Sequence, residues 1–401
     1  MLVYVLPIVF VSITTFTANA TTLFRSGIII LLALVVYLLK PFDLMKYKLI
    51  LVIFSIIIAW YTLSFLVTDQ SYANFLLGAY GRNFGILTLF AFLLLMLESA
   101  EFYENNKTKL LSSIYVLLIM ANVYGAIQNL GIDPLNWETG AGYGLTLGNP
   151  NFSSALFGML SFLPLYYYSL SSGFKRFLHL LVFVLSFIQI ILSGSSQGFL
   201  LFISNFVLFS IIHSRQKITN NKKNIILISV FLIISLSFII INSFSRILNF
   251  ANSSVQLNAR LEHWRLGFKV FENNWLFGTG VDNLARYSGE FRNLTNRSWG
   301  QYVLPDKSHN VVIDYFATGG VIVGLAWLIL VATISLYAVK VLNDFSLKKG
   351  DISSSMFALI WLAYLLQTMF SPDNLVLASV GIICAGGLIC EYRSKKILEK
   401  L

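Results

Sequence analysis

Residues 49–67 read LILVIFSIIIAWYTLSFLV, a run that contains no charged side chain. A helix of about 20 apolar residues is long enough to cross the roughly 30 Å of hydrocarbon in a bilayer. Hydrophobic residues make up 57% of the chain and charged residues 11%, far from the composition of soluble domains. The sequence therefore predicts an all-α polytopic membrane protein. We expect about twelve spans, near residues 2–16, 26–39, 49–67, 84–102, 110–130, 150–172, 177–195, 198–213, 224–242, 310–339, 354–371 and 374–391.

The first apolar run is followed by Ala18-Asn19-Ala20, which resembles a signal-peptide cleavage site. No Lys or Arg precedes the run, however, so the positively charged region of a signal peptide is missing. We therefore interpret residues 2–16 as the first span.

Basic residues are distributed unevenly between alternate loops. If the N-terminus is cytoplasmic and the spans alternate, the inside segments carry 18 basic and eight acidic residues, a balance equal to the whole net charge of +10. Lys and Arg accumulate on the cytoplasmic side of membrane proteins. The pattern predicts that both termini are cytoplasmic. The basic character reports topology, and no nucleic-acid partner is expected.

The long hydrophilic interruption is the stretch 243–309, which the charge pattern places on the extracytoplasmic side. We expect a single membrane domain, residues 1–401, with 243–309 as a large periplasmic loop that contains short amphipathic helices. Residues 258–273 read NARLEHWRLGFKVFEN. At helical spacing their apolar stripe, which we expect to lie on the membrane surface or on the ends of the spans, consists of Leu261, Trp264, Phe268 and Phe271.

Two arginines, Arg260 and Arg265, flank this stripe, and helical phase does not decide between them. Arginine offers a planar, bidentate fork to phosphate oxygens and keeps its charge when desolvated. Either arginine could therefore bind a diphosphate, or pair with the loop's own acids. His263 lies further from the stripe, at a position that predicts solvent exposure, with a substrate contact as the alternative. Arg82, in the loop before the fourth predicted span, is either a diphosphate ligand or an interfacial anchor.

His309 stands where the polar loop re-enters the membrane. Histidine has an unperturbed pKa near neutrality, so it can accept a proton from an attacking hydroxyl. The alternative is an interfacial histidine at the start of the tenth predicted span. His, Cys, Asp and Glu form no cluster with metal-ligand spacing in the sequence, so we expect a metal-independent reaction without a cofactor.

Two short motifs mark further outer loops. In Gly148-Asn149-Pro150-Asn151, Asn149 can cap a helix that begins at the proline, and the same helix N-terminus could hold an anion. Asn151 follows in the first turn of that helix. The turn Ser193-Gly194-Ser195-Ser196-Gln197-Gly198 either packs closely through its small residues or forms a polar wall of a substrate cavity.

Four segments resemble the O-antigen ligase and O-antigen polymerase superfamily of bacterial membrane glycosyltransferases, and they occur in that superfamily's order. They are GRNFGIL at 81–87, GNPNFSS at 148–154, NARLEHWR followed by LFGTGVDN at 276–283, and SHNVVIDYFATGGVIVG at 308–324. The resemblance implies that Arg260 binds the diphosphate and that His309 positions or deprotonates the acceptor. Many members have an arginine in the turn where this chain has Gln197, so a second cationic contact must come from elsewhere, from Arg82 or Arg265, or be absent.

The resemblance implies an inverting glycosyltransferase of the bacterial inner membrane. It would transfer a glycan from an undecaprenyl-diphosphate-linked donor to a lipid-linked or glycan acceptor in O-antigen biosynthesis, as ligase or as repeat-unit polymerase. The alternative is a multi-span transporter or flippase of lipid-linked sugars. Transporters place ionisable residues near the middle of the bilayer, whereas this chain keeps nearly all of them in loops or at span ends.

Overall fold

The computed structural model describes residues 2–14, 17–133, 144–215, 250–289, 305–347 and 350–398, which form helices and no strand. These residues contain fourteen α-helices: α1 Val5–Val11, α2 Ala18–Leu39, α3 Lys48–Val67, α4 Tyr72–Leu77, α5 Ile86–Asn129, α6 Pro150–Leu160, α7 Leu163–Leu170, α8 Gly173–Leu192, α9 Ser196–Arg215, α10 Phe250–Asn273, α11 Leu284–Ser288, α12 Val311–Ser346, α13 Ile352–Thr368 and α14 Leu375–Leu398. Short 3-10 helices precede α1, α3 and α6. The all-α fold class is confirmed.

Six helical stretches of the described residues are long and apolar enough to cross a membrane: Ala18–Leu39, Leu44–Val67, Ile86–Asn129, Gly173–Leu192, Val311–Ser346 and Leu375–Ser394. Helix α5 joins the two predicted spans 84–102 and 110–130, with a kink at Asn106. The predicted span 224–242 lies outside the described residues. The chain is a multi-pass membrane protein, and the total of about twelve spans stays a prediction.

The predicted first span is shorter than expected. The helical stretch runs only from Leu2 to Val11, too short to cross a bilayer. Arg25 of α2 accounts for its end. Its Nε donates to the Val9 carbonyl oxygen at 2.8 Å and its Nη2 donates to that of Phe10 at 3.1 Å. Buried carbonyls at the end of a helix need such partners, which allows α1 to stop inside the protein.

The helical bundle has two distinct polar ends. At one end, ion pairs join residues that charge sorting assigned to the inside: Lys46 with Glu101, and Lys107 with Asp351. At the other end, the loop before α5 contacts the stretch after α10 through Arg82 and Asp306. Each ion pair thus joins loops that charge sorting placed on the same side, and the alternation of the spans stays a prediction. Which end faces the cytoplasm stays a prediction.

Helices α5 and α14 form the centre of the bundle and approach each other closely through glycine. A side chain at Gly386 would collide with the backbone carbonyl of Met96 and would lie 2.7 Å from the Ser99 Cβ. Small residues at helix contacts allow such close packing within membranes. This rigid centre supports α12, which carries the site at its N-terminal end.

Candidate functional site

Three of the segments singled out in the sequence meet at the start of α12. The helix is kinked at Gly320, where φ is +68°, a value that glycine adopts without strain. The kink frees two carbonyl oxygens of the preceding turn. The Ala317 oxygen accepts from the Thr279 N–H at 3.1 Å, and the Thr318 oxygen accepts from the Gly280 N–H at 2.9 Å. The GTG turn is therefore held against α12 by backbone hydrogen bonds.

Asp282, which follows this turn, joins three separate stretches of chain. Its Oδ2 accepts from the backbone N–H groups of Ala79 at 2.8 Å and Phe84 at 3.1 Å, and its Oδ1 is paired with the Lys307 ammonium. The Asp282 side chain is fully buried. A buried carboxylate needs both hydrogen bonds and an opposite charge, and this arrangement supplies them. Asp282 thereby positions the loop before α5 and the segment that leads to His309.

Arg82 and Asp306 form a bidentate ion pair beside this junction. The Asp306 carboxylate accepts from Arg82 Nε at 2.6 Å and from Arg82 Nη2 at 3.1 Å. Desolvation would raise the pKa of Asp306, but the charge and hydrogen bonds of Arg82 outweigh it and lower that pKa to about 2. Arg82 is thus held by a neighbouring acid instead of being a free anchor, and its charge stays close to His309.

His309 is held in an unusual backbone conformation immediately before α12. Its φ is +56°, in the left-handed region that residues other than glycine rarely adopt. On its C-terminal side, Asn310 caps α12 by accepting from the N–H groups of Val312 and Ile313. On its N-terminal side, the backbone N–H and the hydroxyl of Ser308 lie 2.7 Å from Asp314 Oδ1. Both neighbours are anchored, so the His309 ring is presented from a constrained backbone.

Two further residues of this junction share the left-handed conformation. Asn83 has a φ of +60° and Asp282 a φ of +53°. Among the described residues, Leu145 is the other non-glycine position with positive φ. Such backbone strain persists where surrounding contacts hold the residue in place, and it is concentrated at functional sites.

Helix α10 packs on α12 through a face that differs from the predicted stripe. Leu266 and Val270 are fully buried, whereas Phe268 is 55% exposed. Gly267 explains the choice, because an added Cβ there would lie 2.5 Å from Ile313 Cγ2 and 2.8 Å from Ser308 Cβ. The glycine allows the two helices to touch, and the nearby Leu266 and Val270 on the same face of α10 are buried by this contact. Of the predicted stripe, Phe271 still contacts Phe316 of α12, with ring centroids 5.4 Å apart, and Trp264 lies near Phe370.

The expectation that His263 is solvated is wrong. The residue is 3% exposed, on the same face of α10 as Leu266, Gly267 and Val270. Its ring stacks on that of His309, with the centroids 4.3 Å apart and the planes inclined by 28°. Desolvation lowers the pKa of His309 to about 4 and, together with the charge of His309, lowers that of His263 to about 3. Both imidazoles are therefore neutral near pH 7.

The two arginines of α10 differ in environment. Arg260 is half-buried one turn before His263, and its charge acts on both imidazoles. Desolvation lowers the pKa of Arg260, but a guanidinium stays protonated. Arg265 is exposed. The structure thus brings Arg260, His263, His309 and Arg82 together and leaves Arg265 at the surface.

Asn149, Asn151 and Gln197 lie together where α6 and α9 begin. Asn149 caps α6 by accepting from the Asn151 N–H at 2.8 Å, and the Asn151 Oδ1 accepts from the Ser195 hydroxyl at 2.7 Å. An added Cβ on Gly158 would lie 2.6 Å from the Gly198 carbonyl oxygen, so the small residues of this turn serve close packing. Gln197 is 3% exposed, and neither atom of its side-chain amide has a hydrogen-bond partner among the described residues.

Sequence reasoning missed the acids and the lysine that assemble the site. Asp306, Lys307 and Asp314 lie within a few residues of His309, and Asp282 lies within the GTGVDN segment at 278–283. The available signal was their position, since each borders a motif that the sequence had already marked. Their pairing across about 200 residues of chain is a tertiary contact, as the separations of 224 for Arg82 with Asp306 and 203 for Ala79 with Asp282 show.

A small cavity of about 40 Å³ lies beneath the site and is lined in part by Tyr61, Asp282, Lys307, Asp314 and Asp373. It has room for little more than water.

The fold and site define a multi-pass membrane protein with a neutral histidine and arginines at one polar end. Residues 181–328, which include α10 and the start of α12, match the family described as O-antigen ligase. The match confirms the resemblance to the O-antigen ligase and polymerase superfamily over these residues, and it supports glycan transfer of this general type. No curated protein sequence matches the chain.

Proposed function

We propose that this protein transfers a glycan from an undecaprenyl-diphosphate-linked donor to an acceptor hydroxyl at the periplasmic face of the inner membrane. It would act in O-antigen biosynthesis, as ligase or as repeat-unit polymerase. The family match over residues 181–328 supports the class of reaction. The observation that carries the proposal is the constrained, neutral His309 beside the half-buried Arg260.

His309 would be the general base. Its Nδ1 lies 3.2 Å from the carbonyl oxygen of Lys307, which makes Nδ1 the protonated nitrogen and leaves Nε2 free to accept a proton. In the reaction the acceptor hydroxyl gives its proton to Nε2 while its oxygen attacks the anomeric carbon. The bond from that carbon to the diphosphate oxygen breaks, and the electron pair leaves with the diphosphate. Attack opposite to the leaving group inverts the anomeric centre, and the step requires no metal.

Arg260 would bind the diphosphate and stabilise the charge that builds on it. A preorganised cation in a poorly hydrated site is effective because it needs no reorganisation during the reaction. Arg82 would contribute its field while held by Asp306, since its guanidinium is already engaged in two hydrogen bonds. Arg265, exposed on the same helix, is available for an outer phosphate or sugar contact. Gln197, Asn149 and Asn151 would contact the substrate through neutral groups.

A deletion strain complemented with His309→Ala tests the proposal. We expect complete loss of glycan transfer on a surface-glycan gel, with wild-type amounts of protein in the membrane. His179→Ala is the matched control, because His179 bonds to Tyr115 and Ser171 and plays no part in the proposed site. A normal glycan pattern from His309→Ala would show that His309 is not the base.

The same gel separates the two acceptor classes. Loss of all glycan from the lipid core in the deletion strain indicates a ligase. Retention of a single repeat unit without the ladder indicates a polymerase.

A further inference from the structure

A second histidine, His263, lies against the proposed base. The two rings lie nearly parallel at a centroid distance of 4.3 Å, so one face of the His309 imidazole is covered by the His263 ring. His263 reaches this position because it lies one helical turn before Gly267, which packs on Ser308. The contact of α10 with α12 therefore sets the geometry of the stack.

We propose that His263 is a positioning residue for His309: its ring, stacked on the His309 imidazole, holds the plane of that ring and excludes water from one face, so that the Nε2 atom is aimed at the acceptor hydroxyl in its proton-accepting form. This inference rests on the proposed function of His309 as base. It assigns to His263 neither a substrate contact nor a proton transfer.

Backbone and ring act together to constrain His309. Its hydrogen bond to the Lys307 carbonyl oxygen sets which nitrogen carries the proton, but at 3.2 Å this bond restrains rotation about the Cβ–Cγ bond only weakly. A stacked aromatic ring restricts that rotation, since the flat faces lose contact when the ring turns. The backbone is held on both sides by Asn310 and Ser308, so the ring was the remaining flexible part.

The charges around the pair favour a neutral stack. Arg82, from the loop before α5, and Arg260 of α10 oppose protonation of His309, whereas Asp306 favours it. A protonated His309 and Arg260 oppose protonation of His263, and Asp306 again favours it. Desolvation is the largest cause for both rings, and each ring contributes to it by covering the other. Removing the His263 ring therefore hydrates His309 and should raise its pKa toward the ordinary value.

The first test titrates the histidine side chains by NMR in the full-length protein, labelled at histidine Cε1 and held in detergent micelles. In the wild type, we expect the His309 signal to titrate near pH 4, because its pKa is lowered to about 4. In His263→Ala the midpoint should move up by about one pH unit or more, since hydration favours the charged imidazolium. In His263→Phe, which retains an aromatic ring, the midpoint should stay close to that of the wild type. Signals are assigned from their loss in His309→Ala and His263→Ala.

The second test measures surface glycan in cells grown at about pH 5 and at about pH 7.5, because His309 protonation changes over this range when its pKa rises. His263→Ala should lose about twofold or more of its glycan at the lower pH, because a midpoint near 5 leaves about half of His309 protonated there. His263→Phe should behave as the wild type. Lys269→Ala, at an exposed position of the same helix, is the control and should show no added dependence on pH.

Two results would overturn the inference. One is an unchanged His309 midpoint in His263→Ala, which would mean that the stack does not affect the base. The other is a uniform loss of glycan at both pH values, which a merely structural role would produce. Failure of the proposed function appears separately, as glycan transfer retained by His309→Ala, and the NMR midpoints still report the stack in that case.

Discussion

At the scale of single residues, exposure separates side chains of the same type. Arg260 and Arg265 flank the apolar stripe about equally on a helical wheel, yet Arg260 is half-buried near two imidazoles and Arg265 is exposed. His263 and His309 likewise differ from the histidines elsewhere in the described residues by sharing one stacked pair. The sequence supplied the candidate residue types and the family motif. The sequence does not show which of these side chains are desolvated, because desolvation depends on the residues that pack against them.

Substitution of the two arginines tests this difference. Arg260→Ala should reduce transfer by about 100-fold or more, the usual cost of removing a preorganised group that stabilises the developing charge. Arg260→Lys should fall between Ala and wild type, because lysine keeps the charge but loses the bidentate fork. Arg265→Ala is the matched comparison and should lose much less activity, because the contact of an exposed arginine is weakened by water. The measurement is the rate of glycan transfer in isolated membranes, and equal losses at both positions would contradict the assignment.

At the scale of helices, the packing of α10 on α12 forms the site. The predicted stripe assumed that the largest apolar side chains are buried. The contact instead forms at Gly267, because the absence of a side chain there lets α10 approach α12 closely. Once this contact forms, Leu266 and Val270 are buried and His263 is carried to His309. A hydrophobic pattern reports how apolar a face is and not how closely a partner can approach it.

Gly267→Ala should weaken this contact. The added Cβ meets Ile313 and Ser308, so we expect a loss of about 1–3 kcal/mol in stability, typical of overpacking, and a several-fold loss of activity. Gly289→Ala provides the control, because no atom of the described residues lies within 4 Å of an added Cβ there. Thermal unfolding in detergent and glycan transfer should both be measured. An unchanged melting temperature with unchanged activity would show that α10 and α12 need not approach this closely.

At the scale of the whole molecule, Asp282 connects parts of the chain that are far apart in sequence. It joins the loop before α5, the turn after α10 and the segment before α12 in one buried ion pair with hydrogen bonds. Breaking a buried pair leaves the other charge uncompensated, which is more costly than removing both charges.

Asp282→Asn should therefore destabilise the protein by about 3–5 kcal/mol, since Lys307 stays buried without its partner. The double variant Asp282→Asn, Lys307→Met should recover part of this loss. Comparing the free energies of unfolding of the two single variants and the double variant gives the coupling. Additive effects would mean that the two side chains do not interact.

The orientation of the molecule is tested by cysteine labelling. The native Cys384 and Cys390 are buried and should give little background. Arg265→Cys should react with a membrane-impermeant maleimide from the periplasmic side, and Lys46→Cys should react only after the inner membrane is opened. The reverse pattern would invert the topology.

The sequence by itself determined the class of the protein. Long apolar runs exclude other fold classes, because each needs a bilayer or another helix to cover it, and the motif order pointed to the superfamily that the family match over residues 181–328 supports. Charge sorting also separated the two polar ends. Only the tertiary structure decided that α1 stops at Val11, that α10 buries the face containing Gly267, and that Asp306 holds Arg82. These outcomes depend on contacts between residues that are distant in the chain. The conformation and burial of each residue are set by its neighbours in space, which the local sequence pattern does not report.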